Sequence, residues 1–296
     1  MASPPSRVRQ HKQGIAVALA ARAIGLHLRG AARLTQIAAR LVPGLRVAPV
    51  ALDGAVVFLD LRRPYCTDLL LGARLERAES ALMQRLVCGG DVALDVGAYF
   101  GLHTIHLSRL VGSTGRVYAF EPSPVVLPCL SRTVGGLDNT ALLAVALATK
   151  RGSASFVVPS DASMASFADW ASLPGAPIHR HQVPVDCIDR LVAEKLVGRP
   201  DFVKCDVEGA EALVFQGALS VLDCELAPLV LFEVNPAAST ALGLATDAAV
   251  SVLQRLRRPA YQIFSIGAKL ELVPQGGLPG RLMNVLAVPA SRKGLL

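Results

Sequence analysis

The run DVALDVGAYFGLHTI, residues 91–105, carries the clearest structural signal in the chain. Residues 92–96 are apolar and are bounded by glycines on both sides, which is typical of a short buried strand. Residues 102–110 then carry apolar side chains at helical spacing. A strand, a glycine turn and a helix in this order predict the cofactor-binding corner of a parallel α/β sheet.

A dinucleotide-binding fold would have the pattern Gly-x-Gly-x-x-Gly at this corner, whereas this chain has fewer glycines and a carboxylate. Only Gly97 and Gly101 are present, and Asp95 stands at the last turn of the strand. A carboxylate there would repel an anionic pyrophosphate, but it would favour the cationic amino and sulfonium groups of S-adenosylmethionine. The sign of the charge therefore predicts S-adenosylmethionine as the cofactor, with Ala98 and Tyr99 among its contacts. Tyr99 either covers the methionine part or only fills the turn.

A second acidic residue ends the next predicted strand. Residues 116–122 form an apolar run that reaches Glu121 at the distance expected for a ribose-binding acid. One carboxylate can accept hydrogen bonds from two ribose hydroxyls. Residues 141–148 should then run beside the adenine, with Ala146 and Leu147 either as its walls or as ordinary core residues.

Length and composition indicate one large domain with an appendage. The 296 residues are 52% hydrophobic, which is enough for a full core. No apolar run reaches the roughly 18 to 20 residues that a membrane span needs. The six cysteines are scattered, without a Cys-x-x-Cys pair or clustered histidines, so we expect reduced thiols in a cytoplasmic protein and no structural zinc site. His103 and His106 are not expected to form a metal pair.

The net charge of +7 is concentrated at the start of the chain. Residues 1–50 hold eight Lys or Arg and no Asp or Glu, which leaves 22 basic and 23 acidic residues in the remainder. Residues 14–41 could form a helix, on which Arg22, Arg29, Arg33 and Arg40 fall within a wedge of about 40°. Such a stripe could contact an anionic membrane surface, nucleic acid or an acidic partner, or it could be a solvated face. This segment could contact a membrane peripherally, and we expect no specific nucleic acid partner. Arg22 interrupts the apolar run after too few residues for a good signal peptide.

The chain divides into three predicted parts. These are a basic extension (1–45), a small lobe (46–90) with a strand or hairpin at 47–61 and a helix at 73–86, and a cofactor-binding domain (91–290). Within the domain, strands and helices alternate except at 150–180, which is rich in Ser, Ala, Pro and Gly. A loop of this length is either a lid or substrate wall, or a surface excursion.

A second polar constellation lies at residues 200–211, a predicted strand that runs into a turn and a helix to about residue 222. Lys204 and Asp206 share one face of the strand, and burying them would be costly unless both are paired. Glu233, near the end of the following strand, is a natural partner for Lys204.

These motifs together resemble the FkbM-type S-adenosylmethionine-dependent methyltransferases. The resemblance covers about residues 75–290 and rests on GDxxxDVGAxxG at 90–101, AFEP at 119–122, VD at 185–186, KxDVEGAE at 204–211, and Glu233. It implies a class I methyltransferase fold, a Rossmann-like α/β fold with a mostly parallel seven-stranded sheet, helices on both faces, and an antiparallel last strand at 281–288. It also implies methyl transfer to a hydroxyl of a small molecule, sugar or lipid-linked glycan. Asn235 departs from the resemblance, because many relatives carry histidine there.

Methyl transfer needs a placed hydroxyl and a group to take its proton. Asp206 is the first candidate for base or hydroxyl anchor, and Glu208 is the second. Asp206 could instead support the cofactor side, and Glu208 and Glu211 could simply favour a helix dipole. A divalent cation held by Asp206, Glu208 and Glu233 is conceivable but not expected.

Two other functions remain open at this point. A nucleotide-dependent oxidoreductase or epimerase would use the same α/β corner, and a non-catalytic scaffold would keep the fold without turnover. The sequence alone does not indicate an oligomeric state.

Overall fold

A strand, a glycine turn and a helix follow one another from Val92 to Val111, as the sequence predicts. The computed structural model describes residues 30–52, 54–71, 77–172, 175, 177–267, 270–273 and 281–295. The elements of the first half are α1 (Ala31–Leu41), β1 (Val47–Leu52), β2 (Ala55–Asp60), α2 (Pro64–Leu70), α3 (Arg77–Leu86), β3 (Val92–Val96), α4 (Leu102–Val111), β4 (Arg116–Phe120), α5 (Leu127–Val134), β5 (Thr140–Leu143) and β6 (Ala146–Leu147). Those of the second half are β7 (Gly152–Val158), β8 (His179–Asp186), α6 (Ile188–Ala193), β9 (Phe202–Cys205), α7 (Glu211–Gln216), α8 (Leu219–Leu222), β10 (Leu229–Val234), α9 (Pro236–Ala241), α10 (Ala248–Arg255), β11 (Tyr261–Ile266), β12 (Leu270–Leu272) and β13 (Met283–Pro289).

The main sheet has the strand order β12-β11-β13-β10-β9-β3-β4-β5. Strands β5, β4, β3, β9 and β10 are parallel, and β13 runs antiparallel to both of its neighbours. This confirms the predicted class I architecture, including the antiparallel last strand. Within the described residues the sheet has eight strands, one more than predicted, because the three-residue β12 forms a hairpin with β11 at the edge.

The central strands are buried on both faces. Apolar residues of β3, β9 and β10 pack into two hydrophobic clusters, one of which also contains Phe215 and Leu253 from the helices α7 and α10. Parallel strands that helices cover on both faces consist of continuous apolar runs. The sequence therefore predicts these strands clearly.

Two predicted segments between residues 141 and 180 differ from the structure. The expected strand at 141–148 is divided, because β5 ends at Leu143 and β6 joins a separate three-stranded sheet with β8 and β7. The expected loop at 150–180 contains all of β7 and the start of β8, which pair in an antiparallel register that joins Gly152 to Val185 and Val158 to His179. Only residues 159–178 connect them.

The predicted helix at 211–222 is interrupted at Gly217. A β-carbon on this residue would lie 2.0 Å from the carbonyl oxygen of Ala148, so the backbones of two segments touch there. This long-range contact separates α7 from α8, and local helical spacing does not reveal it.

The elements before residue 91 pack against the main domain. The predicted hairpin at 47–61 is confirmed, although Asp53 lies outside the described residues. Side chains of β1, β2 and α2 share a hydrophobic cluster with α4 and α5. The predicted helix at 14–41 is helical at Ala31–Leu41, and the predicted helix at 73–86 is helical at Arg77–Leu86. Residues 1–29, which include Arg22 and Arg29, and residues 72–76 lie outside the described part. Across the described residues, no helix has both the length and the apolar composition needed to cross a bilayer.

The glycine turn after β3 touches the backbone that follows β9. Gly97 has φ +84°, and a β-carbon on it would lie 1.8 Å from the carbonyl oxygen of Asp206. Gly243 has a similar φ of +72°, but nothing lies within 4 Å of the place of its β-carbon.

We therefore expect Gly97→Ala to destabilise the fold far more than Gly243→Ala. Both substitutions carry the cost of a left-handed alanine, about 1–2 kcal/mol, and only the first adds a backbone collision. Urea unfolding should show a free energy of unfolding at least about 2 kcal/mol lower for Gly97→Ala than for Gly243→Ala. Equal losses would mean that the close approach is not needed.

Candidate functional site

Two turns meet at the carboxyl edge of the sheet. Strands β3 and β9 are neighbours, and the Asp206 N–H donates to the carbonyl oxygen of Val96 at 2.9 Å. The turn at 97–101 therefore lies directly against the turn at 206–211. Ligands of open α/β sheets bind at this edge, so the two motifs identified in the sequence occupy one candidate site.

Glu121 is fixed at the end of β4 by two backbone donors. Its Oε2 accepts from the Tyr99 N–H at 3.0 Å and its Oε1 accepts from the Ser123 N–H at 2.8 Å. The carboxylate is 5% exposed, and burial raises its pKa to about 7. Each oxygen keeps a further lone pair, so Glu121 can still accept hydrogen bonds from a ligand.

A cleft of about 550 Å³ opens beside Glu121, and we call it the apolar cavity. Its walls combine the ends of β3 and β4, the β5–β6 connection with Ala146 and Leu147, and residues of β7 and the 159–178 segment. Phe120, Val145, Phe156 and Phe167 supply much of the apolar surface. Concave sites with apolar walls and a few polar groups are typical of small-molecule binding.

A second cleft of about 750 Å³ lies on the other side of Tyr99, and we call it the acidic cavity. Three carboxylates line it, those of Asp206, Glu208 and Glu233, together with His103 and the ring of Tyr65. Tyr65 and Tyr99 make an edge-to-face contact with ring centroids 5.3 Å apart. The two cavities share five residues, namely Gly97, Tyr99, Ser163, Asp206 and Glu208.

Lys204 is a buried cation at the base of the site. It is 1% exposed, and its Nζ lies 3.0 Å from Asp206 Oδ2. On the neighbouring strand, Asp95 is paired in register with Lys204. The carboxylate of Asp95 is 1% exposed and accepts a hydrogen bond from the Thr104 hydroxyl, and burial raises its pKa.

The 206–211 turn holds Glu208 in a left-handed conformation, with φ 52°. Non-glycine residues adopt this conformation only when their surroundings impose it. The Ser166 hydroxyl donates to the Glu208 carbonyl oxygen at 2.7 Å, and the Asn235 amide donates to Glu208 Oε2 at 3.0 Å. Glu211 Oε1 accepts from the backbone N–H groups of Val207 and Gly209. Two segments distant in sequence, together with hydrogen bonds inside the turn, therefore fix the position of one carboxylate.

Glu208 is the most strongly perturbed carboxylate of the site. Burial, and then repulsion from Asp206, Glu233 and Glu211, raise its pKa to about 9 despite the hydrogen bond from Asn235. Oxygen atoms of Asp206, Glu208 and Glu233 lie within 4.8 Å of one another. Such a trio can either retain a proton or bind a divalent cation, since hard cations prefer oxygen ligands.

Most predicted site residues line the two cavities, but two do not. Glu121, Ala146 and Leu147 line the apolar cavity, Ala98 lines the acidic cavity, and Gly97, Tyr99, Asp206 and Glu208 line both. Asp95 and Gly101 are absent from both linings. Asp95 turns toward Thr104 in α4, and Gly101 lies against Leu130 and Thr133 of α5.

Several lining residues were not predicted from the sequence. Ser163, Ala165 and Phe167 belong to the 159–178 segment, which supports its interpretation as a wall of the site. Tyr65 comes from α2, in the predicted small lobe. His103 lines the acidic cavity, while His106 Nε2 lies 3.1 Å from the carbonyl oxygen of Ser80, so these two histidines have different surroundings. The length of the predicted loop at 150–180 is the sequence signal for this wall.

Comparison with known proteins identifies one family. Residues 95–263 match the model of the methyltransferase FkbM domain. A comparison with curated proteins gives no match.

Solved structures show weaker likenesses. Methyltransferase FkbM from Methylobacillus flagellatus KT has 18% identity and a TM-score of 0.44, over 67% of this chain and 44% of that one, so the chain matches less than half of its length. A SAM-dependent O-methyltransferase from Thermotoga maritima has 12% identity over 82% and 85% of the two chains, with a TM-score of 0.40. Fibrillarin from Aeropyrum pernix, with natively bound S-adenosyl-L-methionine, has 16% identity over 82% and 94%, with a TM-score of 0.39.

The raised pKa of Glu208 predicts how stability depends on pH. Below about pH 4.5 the carboxyl is protonated in both the folded and the unfolded chain, so it contributes no pH dependence. Between pH 4.5 and 9 the unfolded chain releases a proton that the folded chain retains, so stability falls as pH rises. Glu208→Gln removes this loss. The free energy of unfolding of the variant minus that of the unsubstituted protein should therefore rise with pH. This difference should have increased by at least about 1 kcal/mol near pH 8.

Chemical denaturation at several pH values measures this effect. A chelator should be present, so that no cation neutralises the carboxylates. Glu225 is exposed, and Glu225→Gln is the matched control, for which we expect a difference that does not change with pH. A flat profile for Glu208→Gln would contradict the raised pKa.

Proposed function

Because this chain belongs to the methyltransferase FkbM domain family, we propose that it transfers a methyl group from S-adenosylmethionine to a hydroxyl oxygen of a small molecule, sugar or glycan. One observation carries this proposal. The apolar cavity and the acidic cavity meet at Asp206 and Glu208, so carboxylates stand where a donor in one cavity would face an acceptor in the other.

The apolar cavity fits the chemistry of S-adenosylmethionine. Glu121 offers a buried carboxylate with spare lone pairs for the ribose hydroxyls, and Phe120, Ala146 and Leu147 provide apolar surface for the base. Tyr99 separates this cavity from the acidic cavity. When bound, the cofactor supplies an electrophilic methyl group beside a positively charged sulfur.

A dinucleotide cofactor fits the apolar cavity less well. Its pyrophosphate requires backbone N–H groups or cationic side chains, and the described lining residues of this cavity include no Lys or Arg. Glu121 and Asp206 add negative charge instead. The oxidoreductase or epimerase alternative therefore has no support from the cavity lining.

Asp206 is the proposed proton acceptor and hydroxyl anchor. It lines both cavities, and its Oδ2 is held 3.0 Å from the ammonium of Lys204, which fixes the direction of the carboxylate. Holding an acceptor oxygen in line with the methyl group lowers the entropic part of the barrier, and a carboxylate within hydrogen-bond reach takes the hydroxyl proton as the new bond forms.

The acidic cavity also suggests the kind of acceptor. Carboxylates accept hydrogen bonds from hydroxyl groups, and the rings of Tyr65 and Tyr99 offer flat apolar surface. A compound with several hydroxyls and an apolar face, such as a sugar, matches both features.

Substitution of Glu121 tests the donor site. Glu121→Gln replaces one acceptor oxygen by an NH₂ group, which cannot accept from Tyr99 or Ser123 or from ribose. We expect calorimetry to show S-adenosylmethionine binding weakened by at least about tenfold. Because the free carboxyl has a pKa of about 7, affinity of the unsubstituted protein should rise with pH through that value, and this rise should be lost in the variant. Exposed Asp138→Asn is the control, and equal affinities in both variants would argue against a ribose contact.

Substitution of Asp206 tests the catalytic step. With an acceptor found by screening hydroxyl compounds for release of S-adenosylhomocysteine, Asp206→Asn should lower kcat by about 10²–10⁴-fold, while cofactor affinity changes little. The substitution leaves Lys204 without this carboxylate, so Lys204→Met/Asp206→Asn should be measured in parallel to remove the buried charge. Retained kcat in a folded variant would exclude Asp206 as the proton acceptor.

A further inference from the structure

Helix α1 exposes an apolar stripe on the surface of the protein. Leu34 is 59% exposed, Ile37 is 43% exposed and Leu41 is 76% exposed. These residues recur at intervals of three and four, so they lie on one side of the helix. Val42, which directly follows the helix, is 48% exposed and extends the stripe.

The other side of α1 is attached to the fold. Ala39 is fully buried in the cluster that also contains residues of β1, β2 and α2. The Gln36 amide donates to the Thr67 hydroxyl in α2 at 2.9 Å. The helix is thus held by its small and polar face, and its large apolar side chains point away from the core.

Positive charge borders the stripe. Arg33 and Arg40 are exposed on the same helix, next to Ile37 around its axis, and exposed Arg46 follows at the start of β1. The first 50 residues contain eight Lys or Arg and no acidic residue. A helix with aliphatic residues on one face and arginines beside them has the composition of helices that lie in a membrane interface.

The stripe is structurally connected to the acidic cavity. Helix α2, which receives the hydrogen bond from Gln36, also carries Tyr65, whose side chain lines that cavity. Helix α2 therefore contacts both α1 and the acidic cavity.

We propose that the stripe formed by Leu34, Ile37, Leu41 and Val42 docks on an anionic lipid bilayer, with Arg33 and Arg40 contacting the lipid headgroups. The aliphatic side chains enter the headgroup boundary, and the arginines pair with anionic lipids. Two other occupants fit less well. A second copy placed symmetrically on α1 would bring its own arginines against these arginines, and a nucleic acid would leave the aliphatic side chains in water.

Flotation of the full chain with vesicles tests the proposal. Vesicles of phosphatidylcholine with phosphatidylglycerol should carry the protein upward, phosphatidylcholine alone should carry much less, and added salt should weaken the binding. Leu34→Gln/Leu41→Gln and Arg33→Gln/Arg40→Gln should each weaken partition by at least about tenfold. Leu226→Gln and Arg255→Gln, which change exposed residues far from α1 in the sequence, are the matched controls and should bind like the unsubstituted protein.

Several results would overturn the proposal. These are equal binding to neutral and anionic vesicles, or unchanged binding by the Leu34→Gln/Leu41→Gln variant. A dimer in solution that this variant dissociates would assign the stripe to a second copy, and retention on RNA with no vesicle binding would assign the basic residues to nucleic acid. All variants should keep the S-adenosylmethionine affinity of the unsubstituted protein in calorimetry. Because flotation requires no cofactor or turnover, its failure is distinguishable from a failure of the proposed function.

Discussion

The close approach of Gly97 to the backbone of Asp206 is the constraint on which the site depends. No side chain fits between these two residues, because a β-carbon would lie 1.8 Å from the Asp206 carbonyl oxygen. The approach brings together the turns that follow two neighbouring parallel strands. Tyr99, two residues after Gly97, then reaches Glu121, and Asp206 borders both cavities. A glycine with positive φ thus helps to determine where these three residues stand.

Charge is concentrated at this contact, and the surrounding structure stabilises it. Lys204 and Asp95 are almost completely buried, and Glu208 is surrounded by three other carboxylates. Burying ions costs free energy unless partners replace their hydration, and here the partners are Asp206 for Lys204 and Thr104 for Asp95. The buried carboxyl of Glu208 receives a hydrogen bond from Asn235. The energetic cost at Glu208 is still visible in its raised pKa. Stored electrostatic strain of this kind is common at functional sites.

The sequence predicts the parts of the site that depend on local residues, and it fails where distant segments meet. The glycine corner, Glu121 and the 206–211 turn follow from apolar strands that end in polar residues, and the structure places these motifs at one edge. Asp95 is not among the lining residues of either cavity, and its carboxylate accepts a hydrogen bond from Thr104, nine residues later. The break at Gly217 depends on a contact with Ala148, which follows β6, and the wall formed by Phe167 depends on a contact with Phe156 of β7. Local periodicity does not encode either contact.

Under the proposed function, the two carboxylates that border both cavities differ in what they can do. Glu208, with a pKa of about 9, keeps its proton at neutral pH, so it can donate a hydrogen bond but cannot take a proton from an acceptor hydroxyl. Asp206 instead forms an ion pair with Lys204, whose Nζ lies 3.0 Å from Asp206 Oδ2. Two acids with different environments can divide the tasks of donor and acceptor at one site. Ser166 and Asn235 maintain this difference in environment. Their hydrogen bonds hold Glu208 in its left-handed turn, beside the other carboxylates and at the boundary between the two cavities.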